Sequence, residues 1–536
     1  MPKNTPDDSV PTGDVGGVLA WTQLGLLMEL IDSVYGEQDL QAPTPVQKMV
    51  IPELLKEPPQ HMTFLAATGS GKTLAYALPL LQDIKSKELF DEDNSEALGG
   101  GRRPKRPKVL ILAPTRELAT QITAVVKQLC HKVKLSSQGV VGAEDYGKQR
   151  KALNRPIDVL VATPGRLLQH WKNNNVFLGD VRHIVLDEMD TMLEQGFQGD
   201  LAQILHPLLY HTDNPEPMQQ VVEGAPRIVL TSATMTQAVS RLLHQQPDAA
   251  VNARRLYVKD EQQQQEQQKQ EASRRRIVLP TNTKIIKAPG LHKAVPRLQQ
   301  VFVDVGNIDK MSLLCDVVHS GGGRGAGVKQ DDTDHRALTL VFCNTVASCR
   351  AAQHALTEAG LPSLSYHGEL NSLARAENLS KFRQAGDGTD PDSPSILVCT
   401  DLAARGLDVP EVDHVVMFDF PLNPLDYLHR SGRTARGVGG DRKGNGRVTA
   451  LVAKRDKVLA GAIERAVQLG KPLDGLSSRK SDYLPGQQHS RSSNSRSSNK
   501  RRGSRGGRGS VAARRRSTQA SNNSGGGGRG GRRARP

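Results

Sequence analysis

The sequence predicts an α/β protein of two tandem domains, each built on a parallel sheet, followed by a disordered basic C-terminal tail. Three observations carry this. Short apolar runs alternate with helix-like stretches in both halves of the chain. A glycine-rich loop follows the first of these runs. The whole excess of positive charge sits beyond residue 476, in a stretch with almost no apolar side chains.

At 536 residues the chain exceeds one ordinary core. The expected division is a flexible N-terminus over 1–18, a first domain over 19–250, a linker with a Gln-rich insertion over 251–290, a second domain over 291–476 and the tail over 477–536. Expected strands of the first half are Met62–Leu65, Val109–Ala113, Val159–Ala162, His183–Leu186 and Ile228–Thr231. Those of the second are Leu338–Phe342, Ser363–Tyr366, Ile396–Cys399, His414–Phe418 and Arg447–Val452. Apolar runs bounded by loops, with helices between, indicate a parallel sheet covered on both faces. Residues 91–108, 261–276 and 320–336 interrupt the pattern and read as surface loops or linkers.

No apolar run approaches the ~20 residues of a membrane span, so no membrane partner is expected. Cys130, Cys315, Cys343, Cys349 and Cys399 lack metal spacing and read as buried thiols of a reducing compartment. The start of the chain shows no signal-peptide pattern, and Asp7, Asp8 and Asp14 argue against a transit peptide. A soluble intracellular monomer is expected. Residues 477–536 hold sixteen Lys and Arg against one acid, whereas the rest carries 55 basic and 55 acidic residues. Such a tail cannot bury enough surface to fold. Its Arg-Gly-Gly repeats at 505–507 and 529–531 suit phosphate neutralisation on RNA, with a solubilising or import role as the alternative.

Ala66-Ala67-Thr68-Gly69-Ser70-Gly71-Lys72-Thr73 is suited to hold a triphosphate. Glycines let backbone N–H groups approach phosphate oxygens, Lys72 can reach the β/γ-phosphates, and the Thr73 hydroxyl can ligate Mg²⁺. A helix over Leu74–Gln82 would aim its positive end at the anion. Ala66 stands where the full pattern has glycine, and Gly-Lys-Thr alone also occurs in ordinary turns. His183–Leu186 ends in Asp187-Glu188-Met189-Asp190. An acid at the C-terminal end of a parallel strand, beside such a loop, is where Mg²⁺–ATP needs one: Asp187 for the metal, directly or through water, and Glu188 to polarise the attacking water. In isolation this would be a polar strand-end turn.

The set of motifs is larger. Pro43-Thr44-Pro45-Val46-Gln47, Pro114-Thr115-Arg116-Glu117-Leu118-Ala119, Thr163-Pro164-Gly165-Arg166, Ser232-Ala233-Thr234, Val341-Phe342-Cys343-Asn344-Thr345, Thr400-Asp401 through Asp408 and His429-Arg430-Ser431-Gly432-Arg433-Thr434-Ala435-Arg436 follow in order. Together they resemble the DEAD-box RNA helicases of superfamily 2, over about Trp21 to Gln468. The resemblance implies two RecA-like domains and an ATP-dependent RNA helicase. It implies adenine contacts by Gln47 and Trp21, ribose contacts by Gly406 and Asp408, and arginine fingers Arg433 and Arg436. Ser232, Thr234, Asp190 and His429 would couple the domains. Pro114, Arg116, Gly142, Thr163, Gly165, Arg166, Asn344, Arg375 and Thr400 would touch the RNA backbone, largely without sequence choice.

Met189, Leu40, Ala143, Ser372, Ser431 and Ala435 depart from the family pattern without removing a charged catalytic group. The second-domain motifs Tyr366-His367-Gly368-Glu369 and Asp413 to Pro421 are similar to plant and algal organellar members implicated in ribosomal RNA maturation. The compartment stays open between nucleus or nucleolus, cytoplasm, chloroplast and mitochondrion. A nucleotide-regulated RNA clamp or annealing chaperone, and a DNA translocase, are the rival readings.

Overall fold

The computed structural model describes residues 15–37, 40–67, 69–93, 102–209, 226–244, 277, 280, 283–289, 291, 298–322, 337–386, 390, 393–401, 412–434, 446–473 and 476. The basic tail, the Gln-rich insertion and the tip of the third interruption lie outside them.

The first lobe holds a seven-stranded sheet: β1 (His61–Leu65), β2 (Val109–Leu112), β3 (Ser137–Val140), β4 (Val159–Ala162), β5 (His183–Leu186), β6 (Arg227–Ser232) and β7 (Thr283–Lys287), in the order β3-β4-β2-β5-β6-β1-β7. The second holds six: β8 (Gln299–Asp304), β9 (Thr339–Cys343), β10 (Ser363–Tyr366), β11 (Ile396–Thr400), β12 (His414–Met417) and β13 (Arg447–Val452), in the order β10-β11-β9-β12-β13-β8. Every pairing is parallel. The central strands β1, β2, β4, β5 and β6 are buried along their whole length, because helices cover both faces. Each sheet is sandwiched between two apolar clusters, such as that of Phe64, Tyr76 and Ile111 on one face of the first and that of Leu110, Leu186 and Met192 on the other.

All ten expected strands form, each within one residue at either end. Three strands were not expected, β3, β7 and β8, and all three are sheet edges. An edge needs no continuous apolar run, and only Ile286 of Thr283–Lys287 is buried. This corrects the expected boundary. The segment 251–290, read as a linker, contributes β7 to the first sheet, where Met62 pairs with Lys284 and Leu65 with Lys287. Lys284 also reaches Glu53 in an ion pair.

Two further corrections concern helices and loops. The helix after the glycine-rich loop runs Lys72–Asp93, longer at both ends than Leu74–Gln82. The basic run after it is not a free loop. Arg102 Nε donates to Glu88 at 2.6 Å, Arg106 reaches Asp180 at 3.1 Å, and Pro104 forms a bridge with Pro156. The partners lie on neighbouring elements of the lobe, which turns a charge run into a docked strap. Cys130, Cys343, Cys349 and Cys399 are buried as expected and Cys315 is half-buried; burial pushes the Cys130 thiol up to about 12. No helix among the described residues is long and apolar enough to cross a membrane.

Candidate active site

In a parallel sheet all C-terminal strand ends share one edge, and the helices that follow start there. That geometry gathers the motifs. The glycine-rich loop follows β1, Pro114 and Arg116 follow β2, Gly142 follows β3, and Thr163 to Arg166 follow β4. Asp187 and Glu188 follow β5, and Ser232 ends β6. In the second lobe Asn344 follows β9 and Thr400 ends β11.

Within the loop, Gly69 (φ +76°) and Gly71 (φ +86°) take left-handed backbone that side-chain-bearing residues avoid. A Cβ on Gly71 would lie 2.5 Å from Gln47 Nε2. The close approach has a cause. Thr44 and Gln47 form a capping box at the start of the helix Pro45–Leu54. From it, Thr44 Oγ1 donates to Ser70 O at 2.8 Å and Gln47 Nε2 to Gly71 O at 3.3 Å. Lys72 is buried, and its Nζ donates to the carbonyls of Ala66 and Ala67 at 3.0 and 3.4 Å. Thr73 begins the helix on the same turn, and Thr68 lies outside the described residues.

Asp187 is fixed by three donors. Tyr76 Oη donates to Oδ2 at 3.0 Å, while Thr231 Oγ1 and the Glu188 N–H, at 2.9 Å, reach Oδ1. Glu188 adopts a left-handed conformation (φ 49°, ψ 54°). For a residue with a side chain this is a strained backbone, of the kind that marks functional turns. Its chain keeps partial exposure, but Oε2 is sealed from solvent with no hydrogen-bond partner. Burial raises the Glu188 pKa, and Asp187 and Asp190 push the same way against the cations Lys72 and Arg433. Asp190 holds the next motif: its Oδ2 accepts from Thr234 N at 2.9 Å and from Thr234 Oγ1 at 2.6 Å. Ser232 Oγ donates to Thr234 O at 2.6 Å, and Ser232 O accepts from Ala66 N at 3.1 Å. The strand end carrying Ser232 is thus tied both to the glycine-rich loop and to the acidic turn.

In the second lobe the organising residue is Arg430, which the motif reading quoted without a role. It is 1% exposed. Its guanidinium grips Asp401 with both Nε and Nη2, donates from Nη1 to Asp419 O at 2.6 Å and from Nη2 to Asn344 Oδ1 at 2.6 Å, and lies 5.4 Å from the Phe342 ring centroid. Asn344 also donates from Nδ2 to Phe420 O at 3.0 Å. Its side chain is therefore spent inside the lobe and braces the site rather than reaching outward. Arg433 is buried, and its charge acts on Glu188. Arg375 approaches Glu117 at 3.5 Å, and Glu117 also accepts from Arg116 Nη2 at 2.6 Å. Thr400 is buried and His429 is partly exposed. Gly406, Asp408 and Arg436 lie outside the described residues.

Trp21 does not fit the role expected of it. It is 0% exposed, sits in the core of the first lobe, and donates from Nε1 to Leu40 O at 2.9 Å. A stacking platform needs an accessible face, so Trp21 anchors the segment that carries Leu40 instead. Gln47 is likewise buried and spent on the capping box and Gly71. Tyr76, Thr231 and Arg430 were missed as supports. Each is an ordinary helix or strand residue whose role follows only from what packs beside it.

A glycine-rich loop, an acid at the adjoining strand end and a second parallel-sheet lobe define a two-lobed nucleotide-binding protein of the P-loop class. Comparison with known proteins narrows this. Residues 44–242 match the DEAD/DEAH box helicase family and residues 309–438 the helicase conserved C-terminal domain. The chain is 36% identical over 455 residues to DEAD-box ATP-dependent RNA helicase 39 of Arabidopsis thaliana, covering 85% of this chain and 62% of that protein. It is 30% identical over 445 residues to the probable ATP-dependent RNA helicase DDX28 of Homo sapiens, covering 83% and 72% respectively. Among solved structures, Saccharomyces cerevisiae Dbp5 bound to RNA and ADP BeF3 matches with a TM-score of 0.59 and 23% identity, over 84% of this chain and 93% of that one. At that identity the likeness establishes the shared fold of two RecA-like lobes. The chain belongs to the DEAD-box family of ATP-dependent RNA helicases.

Proposed function

We propose that this chain is an RNA-dependent ATPase that uses ATP hydrolysis to unwind or remodel RNA duplexes or RNA–protein complexes. The observation that carries the reading is Glu188: a carboxylate with one sealed, unpartnered oxygen, its proton affinity raised by burial against the opposing charges of Lys72 and Arg433. An oxygen of this kind suits the polarisation of an attacking water. Lys72 would neutralise the β/γ-phosphates. Arg433, with Arg436, would stabilise charge building on the γ-phosphoryl group, and Gly406 with Asp408 would meet the ribose.

The donor set fits Mg²⁺. No group of three or more His, Cys, Asp or Glu able to hold a metal exists among the described residues. The ion would therefore rest on phosphate and water oxygens with the Thr73 hydroxyl and Asp187, an all-oxygen set of the kind Mg²⁺ takes. Bound there, it would screen the phosphate charges.

The Asp190–Thr234 bonds support Ser232 and Thr234, with His429, as the coupling between hydrolysis and lobe closure. RNA would lie along the strand-end edge against Pro114, Arg116, Gly142, Thr163, Gly165, Arg166, Arg375 and Thr400, with Asn344 acting from behind. The basic tail would add sequence-independent tethering. Among RNA classes, the second-lobe motifs favour ribosomal RNA precursors. Crosslinking to cellular RNA and sequencing tests that, and a dispersed messenger population would refute it. The central test is Glu188→Gln. RNA-stimulated phosphate release should fall about 10²-fold or more while ATP binding persists. Native-rate release in that variant, or equal stimulation by DNA of the same sequence, would overturn the reading.

A further inference from the structure

Behind the first lobe's outer strand ends lies a polar cluster that no catalytic role absorbs. His170, on the helix Pro164–Lys172, is 0% exposed. Its ring stacks on Tyr146, with centroids 4.2 Å apart and planes 6° from parallel. His170 Nε2 lies 3.2 Å from Gln149 Oε1, and Nδ1 lies 3.4 Å from Asn175 Nδ2. Gln149 is 4% exposed, and its amide nitrogen donates to Val141 O at 2.9 Å and to Glu144 Oε2 at 3.1 Å. Tyr146 Oη accepts from Asn173 and Asn175, both at 2.8 Å. Arg166 lies 5.6 Å from the Tyr146 ring centroid and donates from Nη2 to Glu144 O at 3.3 Å.

The bonding pattern fixes the imidazole. An amide nitrogen only donates, so His170 Nδ1 must accept from Asn175 and Nε2–H must donate to Gln149 Oε1. The ring is neutral and both nitrogens are used. Burial, then the Arg166 charge, holds its pKa down to about 4, in keeping with that arrangement. Both paths out of His170 end on one place. Through Gln149 it pins Val141 and Glu144, the two ends of the turn that carries Gly142 and Ala143. Through Tyr146 it underlies the Arg166 guanidinium. Ala143 within that turn sits at φ +61°, a conformation that an alanine does not choose by itself. Something must hold it, and Gln149 bonds to both flanks.

We propose that His170, with Gln149 and Tyr146, is a positioning residue for RNA binding: it presents Arg166 and the Gly142 turn in the geometry that accepts a phosphate backbone, without touching RNA. The inference rests on the reading of Arg166 and Gly142 as RNA contacts. It assigns a role to a ring that lies wholly inside the lobe.

The test uses the full chain and an unstructured RNA oligonucleotide. His170→Phe keeps the ring and its stack but loses both ring hydrogen bonds. Tyr146→Leu changes a half-exposed residue at a helix start, so it keeps the idea testable should the buried variant fold poorly. In both, the RNA concentration giving half-maximal ATPase should rise about five- to tenfold. Turnover at saturating RNA and the KM for ATP should stay within twofold. A merely structural role predicts the opposite split, with reduced turnover and melting temperature at an unchanged RNA requirement. That result, in both variants, overturns the proposal. Arg166→Ala separates the two levels. If it raises the RNA requirement and the other two variants do not, the positioning role is wrong. If Arg166→Ala leaves the requirement unchanged, the RNA-contact reading fails and takes the inference with it. The double variant Arg166→Ala/His170→Phe should fall short of the product of the two single effects, because His170 acts in part through Arg166; a full product would overturn that part of the proposal.

Discussion

Arg430→Met asks how much of the second lobe hangs on one guanidinium. The substitution keeps a linear apolar stem and removes every donor. Asp401 then loses two hydrogen bonds, and Asn344 Oδ1 and Asp419 O lose one each. Removing one partner of a buried ion pair costs about 3–5 kcal/mol, because the other charge is left behind. Asp401 keeps 26% side-chain exposure, so water recovers part of the loss and the low end applies, about 3 kcal/mol. For a unit of this size that is roughly a 6–12 °C drop in melting temperature. Scanning calorimetry of the full chain measures it. Arg430→Lys should recover little, since a point charge cannot bond Asp401, Asn344 and Asp419 O together. Asp401→Asn in the Arg430→Met background should restore about 1–2 kcal/mol, because the stranded charge is gone. A melting temperature within 2 °C of native for Arg430→Met would refute the reasoning: the network would then be replaceable by packing alone.

Gly71→Ala should raise the KM for ATP at least tenfold in steady-state ATPase assays. The new Cβ meets Gln47 Nε2 at 2.5 Å and Thr44 Oγ1 at 3.2 Å, on top of about 1–2 kcal/mol for φ +86°. Ala143→Gly should stabilise the chain slightly. It relieves about 1–2 kcal/mol of left-handed strain and concedes roughly 0.4–1 kcal/mol of unfolded-state entropy, so calorimetry should show a rise of a degree or two. Stability should fall on mild acidification. His61, His170 and His414 are held neutral, each pushed from 6.5 down to about 4 chiefly by burial, with Arg227, Arg166 and Arg447 adding to it. Above pH 6.5 neither state takes up their protons. Between 6.5 and about 4 the unfolded chain does and the folded one does not, so each group withdraws about 1.4 kcal/mol per pH unit in that window. Unfolding free energies from urea titrations at pH 7.5 and 5.5 should therefore differ by up to about 4 kcal/mol, and equal values would count against buried neutral rings.

The architecture was readable because a doubly covered parallel sheet writes itself as apolar runs. Those runs gave ten strands to within a residue, the nine inner ones and the edge strand β10. The other three edges, β3, β7 and β8, were invisible for the same reason in reverse: an edge strand such as Thr283–Lys287 is mostly exposed and needs no apolar pattern. The site was readable wherever chemistry demands a residue type, as at Lys72, Asp187 and Glu188. It was unreadable where a role depends on what packs alongside. Trp21 offers the same indole to a core as to a base, and only its burial decides. Arg430 and Arg433 sit three residues apart in one motif. Spacing alone did not say that the first braces Asn344 and Asp401.

β7 has a practical and a topological consequence. The nucleotide loop's own strand is flanked on one side by a ribbon of chain drawn from far downstream, just before the second lobe begins. A fragment cut at residue 250 would bare the β1 margin next to the phosphate cradle, an invitation to self-association through open main-chain groups. An isolated first lobe should need to run through Ala288, whose N–H donates to Leu65 O at 2.8 Å. The chain thus leaves for the second lobe from a strand paired with the very one that feeds the cradle.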